Sequence, residues 1–416
     1  MLLPNSRSPI RPGYSRTVFV FAGITALFLW QFYILDTAQP VQLAKTLFGG
    51  QESVEVANAT LGFQTIIAIS SEDPSKPGAW RQHGLLAAAN RTGLEVNVHQ
   101  SRHVPDDELH AFMQHTSKSG ESPRIGSARA WLAHLDALKY VLAHDINTAL
   151  ILEDDADWDV RIRQQLAPNA AVPSLVREIL DDSENNDVAG LMPSFSSNAT
   201  LSNNATIPYT LGYDILWLGH CASGKTPRSR QLDTLADAAT VPPANRLRAF
   251  ADRYAYTPLP DGTRSIMRSP GPTCTFAYAV TRQGAARILE MTGQGGGAAF
   301  DNEVGAGCAK GEKKGGLRCV SVAPELFHHQ RLVSGDGKGS SMVEDMNWGI
   351  EEGDGVDGEL KSRKRKKIKT DKGLARGGQR FITFNIMYST RCNAEKGDGE
   401  LVECMPTDEE LDWYTT

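Results

Sequence analysis

The stretch of sequence best equipped for chemistry is Leu150-Ile151-Leu152-Glu153-Asp154-Asp155-Ala156-Asp157-Trp158-Asp159. Five carboxylates, at positions 153, 154, 155, 157 and 159, crowd into seven residues directly after an apolar run. A continuous apolar run is what a strand buried on both faces requires, and ligands of α/β sheets gather at the carboxyl ends of such strands. Carboxylates held this close repel one another, and a divalent cation is the simplest relief. All-oxygen ligands favour Mn²⁺ or Mg²⁺, which commonly complete their shells with substrate phosphates. An EF-hand fails on spacing, because the sixth and twelfth positions counted from Asp155 are Val160 and Leu166 rather than Gly and Glu. The competing reading is a solvated acidic loop; the apolar strand before the cluster and Trp158 within it weigh against that. Asp157 offers a second ligand spacing through Asp155-Ala156-Asp157, and both spacings stay open.

Three further positions carry possible chemistry. Asp301, in Phe-Asp-Asn-Glu-Val-Gly after a Gly-rich loop, is a candidate general base, with Glu303 second. Its bland alternative is a helix N-cap, a position that favours Asp. His328 and His329 follow Glu325 near a strand end, where one of the two could face a metal or phosphates. His328 is the candidate ligand.

These residues need a scaffold, and the sequence supplies an alternating one. Phe63 to Ser70 (FQTIIAIS) reads as a strand, WRQHGLLAAANRTG as a helix stopped by Gly93, and LEVNVH as a second strand. Strand, helix, strand opens a parallel α/β sheet. Ser127 to His144 is the clearest helix. Trp131, Leu135, Leu138 and Leu142, with Leu132 and Val141, form one face; Ser127 suits the N-cap and His144 the C-terminal end. Two more strands, DILWLGH from Asp214 and CTFAYAV from Cys274 to Val280, precede the helix RQGAARILEM. Lys225 to Arg268, rich in Pro, Arg and Ala, reads as an excursion from the sheet. FITFNIMYS is either one more strand or an apolar docking segment.

The 416 residues, 41% hydrophobic and 22% charged, exclude a coiled coil, a collagen-like chain and a wholly disordered protein. A net charge of -6 lacks the basic bias of many nucleic-acid binders, and no nucleic-acid partner is expected. Thr17 to Leu35 is a 19-residue apolar run, a helix of roughly 28 Å, about a bilayer core in length. Arg7, Arg11 and Arg16 precede it, which places the N-terminus in the cytosol and the rest in the secretory lumen. A cleaved signal peptide would carry a shorter apolar region. Sequons at Asn58, Asn90, Asn198 and Asn204 and six cysteines agree with a luminal chain. Fifteen cysteine pairings are possible; the short loops favour Cys308–Cys319 and Cys392–Cys404. The organisation expected is a cytosolic tail (1–16), a transmembrane signal anchor (17–35), a stem (36–60), a catalytic domain (61–345), a charged linker (346–380) and a C-terminal tail (381–416). The basic run Lys361 to Lys369 would suit a nuclear or nucleic-acid role alone, but behind an anchor it reads as solvated linker, with a processing site or an acidic-glycan contact as the minority readings.

The segment IGSARAWLAHLDALKYVLAHDINTALILEDDADWD resembles the signature of glycosyltransferase family 25, which includes lipopolysaccharide and procollagen galactosyltransferases. DILWLGHC, PGPTCTFAYAVTRQGAARIL, FDNEVGAGC and VAPELFHHQ continue the likeness to its fungal members, from about Gln64 to Asn347. The resemblance implies a GT-A-like α/β fold with a mixed, mainly parallel sheet, and inverting transfer of a sugar, galactose foremost, from a UDP-sugar to a glycan or glycoprotein acceptor. It implies a Golgi or endoplasmic reticulum enzyme, with a non-catalytic glycan-binding or accessory relative as the alternative. By the resemblance Asp155 coordinates Mn²⁺ (or Mg²⁺) on the donor diphosphate, Glu153 and Asp154 lie on the donor side, and Arg81 contacts the nucleotide. The chain also departs from the family. Many members read G-C-x-x-S-H at the helix start; here Ser127 follows Gly126, Trp131 occupies the His position, and His134 lies one turn later, expected to substitute only if the helix shifts.

Overall fold

The apolar runs become strands of one eight-stranded sheet in the computed structural model of the protein, which describes residues 56–71, 75, 79–114, 122–187, 209, 211–221, 232–237, 239–247, 261–269, 271–333, 339–340, 380–397 and 399–406. In chain order the main elements are β1 (Thr65–Ser70), α1 (Trp80–Thr92), β2 (Val96–Gln100), α2 (Asp106–Gln114), α3 (Ile125–Ala143), β3 (Thr148–Glu153), β4 (Ala156–Trp158), α4 (Ile162–Gln165), α5 (Ala171–Asp187) and β5 (Ile215–Gly219). There follow β6 (Leu232–Ala236), β7 (Thr263–Arg268), β8 (Ala277–Thr281), α6 (Arg282–Thr292), α7 (Phe300–Lys310), β9 (Cys319–Ala323), β10 (Phe327–Val333), β11 (Gly339–Ser340), β12 (Arg380–Thr383) and α8 (Thr390–Lys396). The sheet order is β2-β1-β3-β8-β5-β9-β7-β6. β2, β1 and β3 are parallel, as are β5 and β9, whereas β8 and β7 each run against both neighbours. Six of the eight strands thus point one way, in a mixed sheet that bears out the α/β class read from the sequence.

Alternation along the strands divides the core into two layers. On one face Leu150 and Leu152 of β3 join Ile66, Leu216 and Ala279 and meet Leu85 and Ala88 of α1 and Val176 and Ile179 of α5. On the other, Ile151 joins Ile67, Ile215 and Tyr278 and meets Trp131, Leu135, Leu138 and Val141 of α3 and Ile288 of α6. Each fully buried aliphatic side chain here contributes about 1.5–3 kcal/mol. The start of α3 differs from expectation. The cap position is Arg124, with no side-chain hydrogen bond, so Ser127 lies inside the first turn.

Two stretches without clear periodicity are structural. The excursion at 225–268 supplies β7 and the edge strand β6, with Ile266 and Met267 of β7 buried. The strand alternative holds for part of the C-terminal tail, since β12 pairs with β10, which also pairs with β4 and β11. All described residues belong to one unit, Glu55–Thr416, so the boundary at 345 does not detach the C-terminal segment. The stem end is likewise tied down, Ala57 being buried and donating its N–H to Arg163 O at 2.7 Å. Both favoured disulfides form, together with Cys221–Cys274. The apolar run 17–35 and the basic run 361–369 lie outside the described residues, among which no helix is long and apolar enough to cross a membrane.

Candidate active site

Because β1, β2 and β3 are parallel, their carboxyl ends share one edge of the sheet. β8 is antiparallel, which brings the residues before it, Thr275 and Phe276, to the same edge. The Glu153 N–H donates to Phe276 O at 3.0 Å, and Thr275 Oγ1 donates to Glu153 Oε1 at 2.7 Å. From α3, His134 reaches this pair. Its Nε2 lies 3.4 Å from Glu153 Oε1 and 3.2 Å from Thr275 Oγ1, and its Nδ1 lies 3.0 Å from the Tyr278 hydroxyl. Phe300 stacks on the ring at 4.7 Å. Residues three apart lie near one another on a helix, and of Trp131 and His134 it is His134 that meets the sheet end. Trp131 is a core residue, fully buried, with its Nε1 donating to Thr292 O at 3.1 Å and its ring edge-on to Phe112.

The five carboxylates do not act as one cluster. Asp159 accepts from the Arg161 backbone N–H (2.9 Å) and ion-pairs with its guanidinium (2.8 Å). Asp157 is fully buried and takes the Trp158 and Arg391 backbone N–H groups on Oδ1 (2.9 and 3.1 Å) and the Thr383 and Ser389 hydroxyls on Oδ2. All four contacts tie down β4 and the C-terminal segment, so Asp157 serves the fold rather than the ligand role expected of it. Asp154 accepts from Ser70 Oγ at 2.7 Å through Oδ2. The Oδ1 atoms of Asp154 and Asp155 are both buried without a hydrogen-bond partner. Burial pushes the Asp155 carboxyl up to about 8, Glu153 and Asp154 add to the rise, and Arg81 and Arg391 oppose it. Burial raises Asp154 as well. Two of the five carboxylates, Asp154 and Asp155, thus keep a buried oxygen without a partner.

Beside them opens a cavity of about 410 Å³, within the range of small-molecule sites. Glu153, Asp154 and His134 line it together with Arg81, Arg102 and Arg129. Arg81, at the start of α1, therefore lines the same cavity as Glu153 and Asp154. Arg102 is braced by the Glu108 carboxylate, its Nη1 at 2.8 Å from Oε2.

Asp301 is not an N-cap. That position is Ala299, and Asp301 lies in the first turn of α7. Its Oδ2 accepts the Cys274 N–H at 2.7 Å, its Oδ1 the Asn302 N–H at 2.9 Å. The loop carrying Cys274 packs main chain to main chain on α7. Gly271 has φ +93°, and a Cβ there would lie 2.1 Å from Gly305 O. Burial raises the Asp301 carboxyl, with Glu153 adding to the rise and the two backbone hydrogen bonds and His134 opposing it. Glu303 instead packs its carboxylate against Gly297. His328 is buried, its Nδ1 at 3.2 Å from His329 O and its Nε2 facing Glu325 Oε1 at 3.6 Å, contacts that do not make it a ligand beside Asp155. Burial pulls it down to about 3, and His329 well below its ordinary value, so both are neutral. His329 lies edge-on to Phe276 at 4.2 Å, and its register partner is Ala156. Asn58 and Asn90 are exposed; Asn198 and Asn204 lie outside the described residues.

No protein-family model and no curated protein matches the chain.

Sequence reasoning missed Arg102, Arg129, Thr275 and Arg391. Arg102 and Arg129 stand just after β2 and just inside α3, positions that flank a sheet-end cleft once strand order is known. Arg391, 237 residues beyond Asp154, leaves no signal in sequence spacing.

Proposed function

We propose that this chain is a metal-dependent, inverting glycosyltransferase with a GT-A-like fold, moving a sugar from a UDP-sugar to a glycan or glycoprotein acceptor. Galactose as the sugar, Mn²⁺ as the ion and a single-pass anchor in the Golgi or endoplasmic reticulum membrane complete the reading; they rest on the family resemblance, the carboxylate chemistry and the apolar run 17–35. The observation that carries it is the pair of buried carboxylates with unpartnered oxygens beside an arginine-lined cavity at the strand ends. Oxygen donors of this kind fit a hard divalent cation, and Asp155 with Oδ1 of Asp154 would hold it. Bound there, the cation supplies Lewis-acid stabilisation of charge on the departing diphosphate.

The protein groups do the rest. Arg81 and Arg129 attract the diphosphate through charge, and Arg102, pre-oriented by Glu108, presents its guanidinium at the same wall. Glu153, fixed by Thr275 and His134, faces the donor side. Asp301, as a carboxylate made more basic by burial, takes the acceptor hydroxyl proton. The acceptor oxygen then bonds to the anomeric carbon as the bond from that carbon to the diphosphate oxygen breaks, and UDP leaves with the electron pair. One displacement inverts the centre.

The test is a nucleotide-sugar binding screen on the full-length protein with and without Mn²⁺. Metal-dependent binding of one donor, abolished in Asp155→Asn, is the expected result. No donor binding, with glycan binding indifferent to Asp155→Asn, would transfer the chain to the accessory class.

A further inference from the structure

Helix α8 is seven residues long, too short for much stability of its own, and it is held by tertiary contacts. Ser389 caps it by accepting the Cys392 N–H at 3.1 Å, and Cys392–Cys404 closes the segment after it. Thr390 Oγ1 donates to Trp158 O at 2.7 Å, seating the helix on β4. This places Arg391 beneath the turn that joins β3 to β4, with only 2% of its surface exposed.

The Arg391 guanidinium spreads over three main-chain carbonyls. Nε donates to Ala156 O at 2.8 Å, Nη2 to Asp154 O, and Nη1 to Arg81 O at 3.1 Å. Two of these carbonyls flank Asp155, and the third belongs to the arginine that lines the cavity. A planar fork with five fixed donors can span such a set; a lysine ammonium is a point charge and cannot. Helix α1 makes room for it. A Cβ at Gly84 would stand 2.7 Å from Arg391 Nη1, so the helix carries a glycine that costs about 1 kcal/mol in propensity against alanine at the place where the guanidinium lies.

We propose that Arg391 is the positioning residue of the carboxylate turn. From beyond the charged linker it fixes the main chain on both sides of Asp155 and the backbone of Arg81, presenting carboxylates and cavity arginine in one geometry. The consequence for ligands rests on the transferase reading above; the positioning does not. Gly84 is its second half, a space kept open for the fork.

The experiment uses full-length protein and the variants Arg391→Lys and Gly84→Ala, read by hydrogen exchange of the 150–160 peptide, by melting temperature, and by calorimetric titration with Mn²⁺ and UDP. Lysine keeps the charge and loses the fork. Gly84→Ala improves α1 propensity while displacing the guanidinium, so a loss there cannot be ascribed to a failure to fold. Exchange of the 150–160 peptide should rise at least tenfold in both variants, with that of β1 and β5 peptides unchanged. Mn²⁺-dependent UDP affinity should fall about tenfold, equivalent to about 1.4 kcal/mol. Unchanged exchange at the turn in a folded Arg391→Lys protein overturns the proposal. Wild-type protein that binds neither Mn²⁺ nor UDP overturns the transferase reading alone, and exchange still decides the role of Arg391.

Discussion

On the proposed reading, the raised carboxyl of Asp155 predicts that cation binding and proton release are one event. Burial, with Glu153 and Asp154 alongside, holds the group at about 8, so a divalent ion must displace a proton over most of the accessible pH range. At pH 6, two units below that value, about 1% of the protein carries ionised Asp155, and Mn²⁺ affinity should be about 100-fold weaker than its high-pH limit, or about 3 kcal/mol. At pH 7 about 0.9 proton should leave per ion bound, so the binding enthalpy will vary with the ionisation enthalpy of the buffer. Stability follows the same sign. A carboxyl raised in the folded state contributes stability that is complete below its unfolded value of about 3.9 and is lost as pH rises through the folded value of about 8. The metal-free protein should therefore lose melting temperature between pH 6 and pH 8.5, and Mn²⁺ should restore more of it at the higher pH. Calorimetric titration at pH 6, 7 and 8 in phosphate-free buffers of differing ionisation enthalpy makes the measurement. An affinity flat across that range refutes the assignment of Asp155, as does an Asp155→Asn protein that binds Mn²⁺ with the same proton release.

Other substitutions separate chemistry from scaffold. Asp301→Asn should reduce turnover by at least 100-fold while UDP-sugar affinity stays within about twofold, measured by steady-state kinetics and titration calorimetry; lost donor binding would move Asp301 to the donor side. Trp131→His should destabilise by about 3–5 kcal/mol in denaturant unfolding without raising activity, because Trp131 fills the core and His134 already stands at the strand end. Asp157→Asn should cost roughly 3 kcal/mol in the same assay, since its four partners are all donors and an amide nitrogen cannot accept from them.

The reach of the sequence was set by the range of the forces it encodes. The strand before Glu153, the α3 stripe and the β1-α1-β2 opening were legible because two-sided burial and helical periodicity are local patterns of apolar residues. So was the carboxylate cluster at the end of β3, since a strand end needs no knowledge of its neighbours. Which of the five carboxylates are available was not legible. Asp157 and Asp159 look the same as Asp155 in the sequence, and they differ only because β12 and the start of α8 bring two hydroxyls and an N–H group to one and Arg161 turns onto the other. The strands β6 and β7 within 225–268 escaped notice because Pro, Arg and Ala hide a short alternation. The place of His134 at the strand end was not legible, because a matched position cannot say which residue on a helix face meets the sheet. The sequence alone determined an α/β chain with acidic chemistry after its third strand. Tertiary structure decided which carboxylates lack partners, which arginines face them, and that a residue from beyond the charged linker holds the turn, because hydrogen-bond partners hundreds of residues apart are chosen only when the sheet and its helices close.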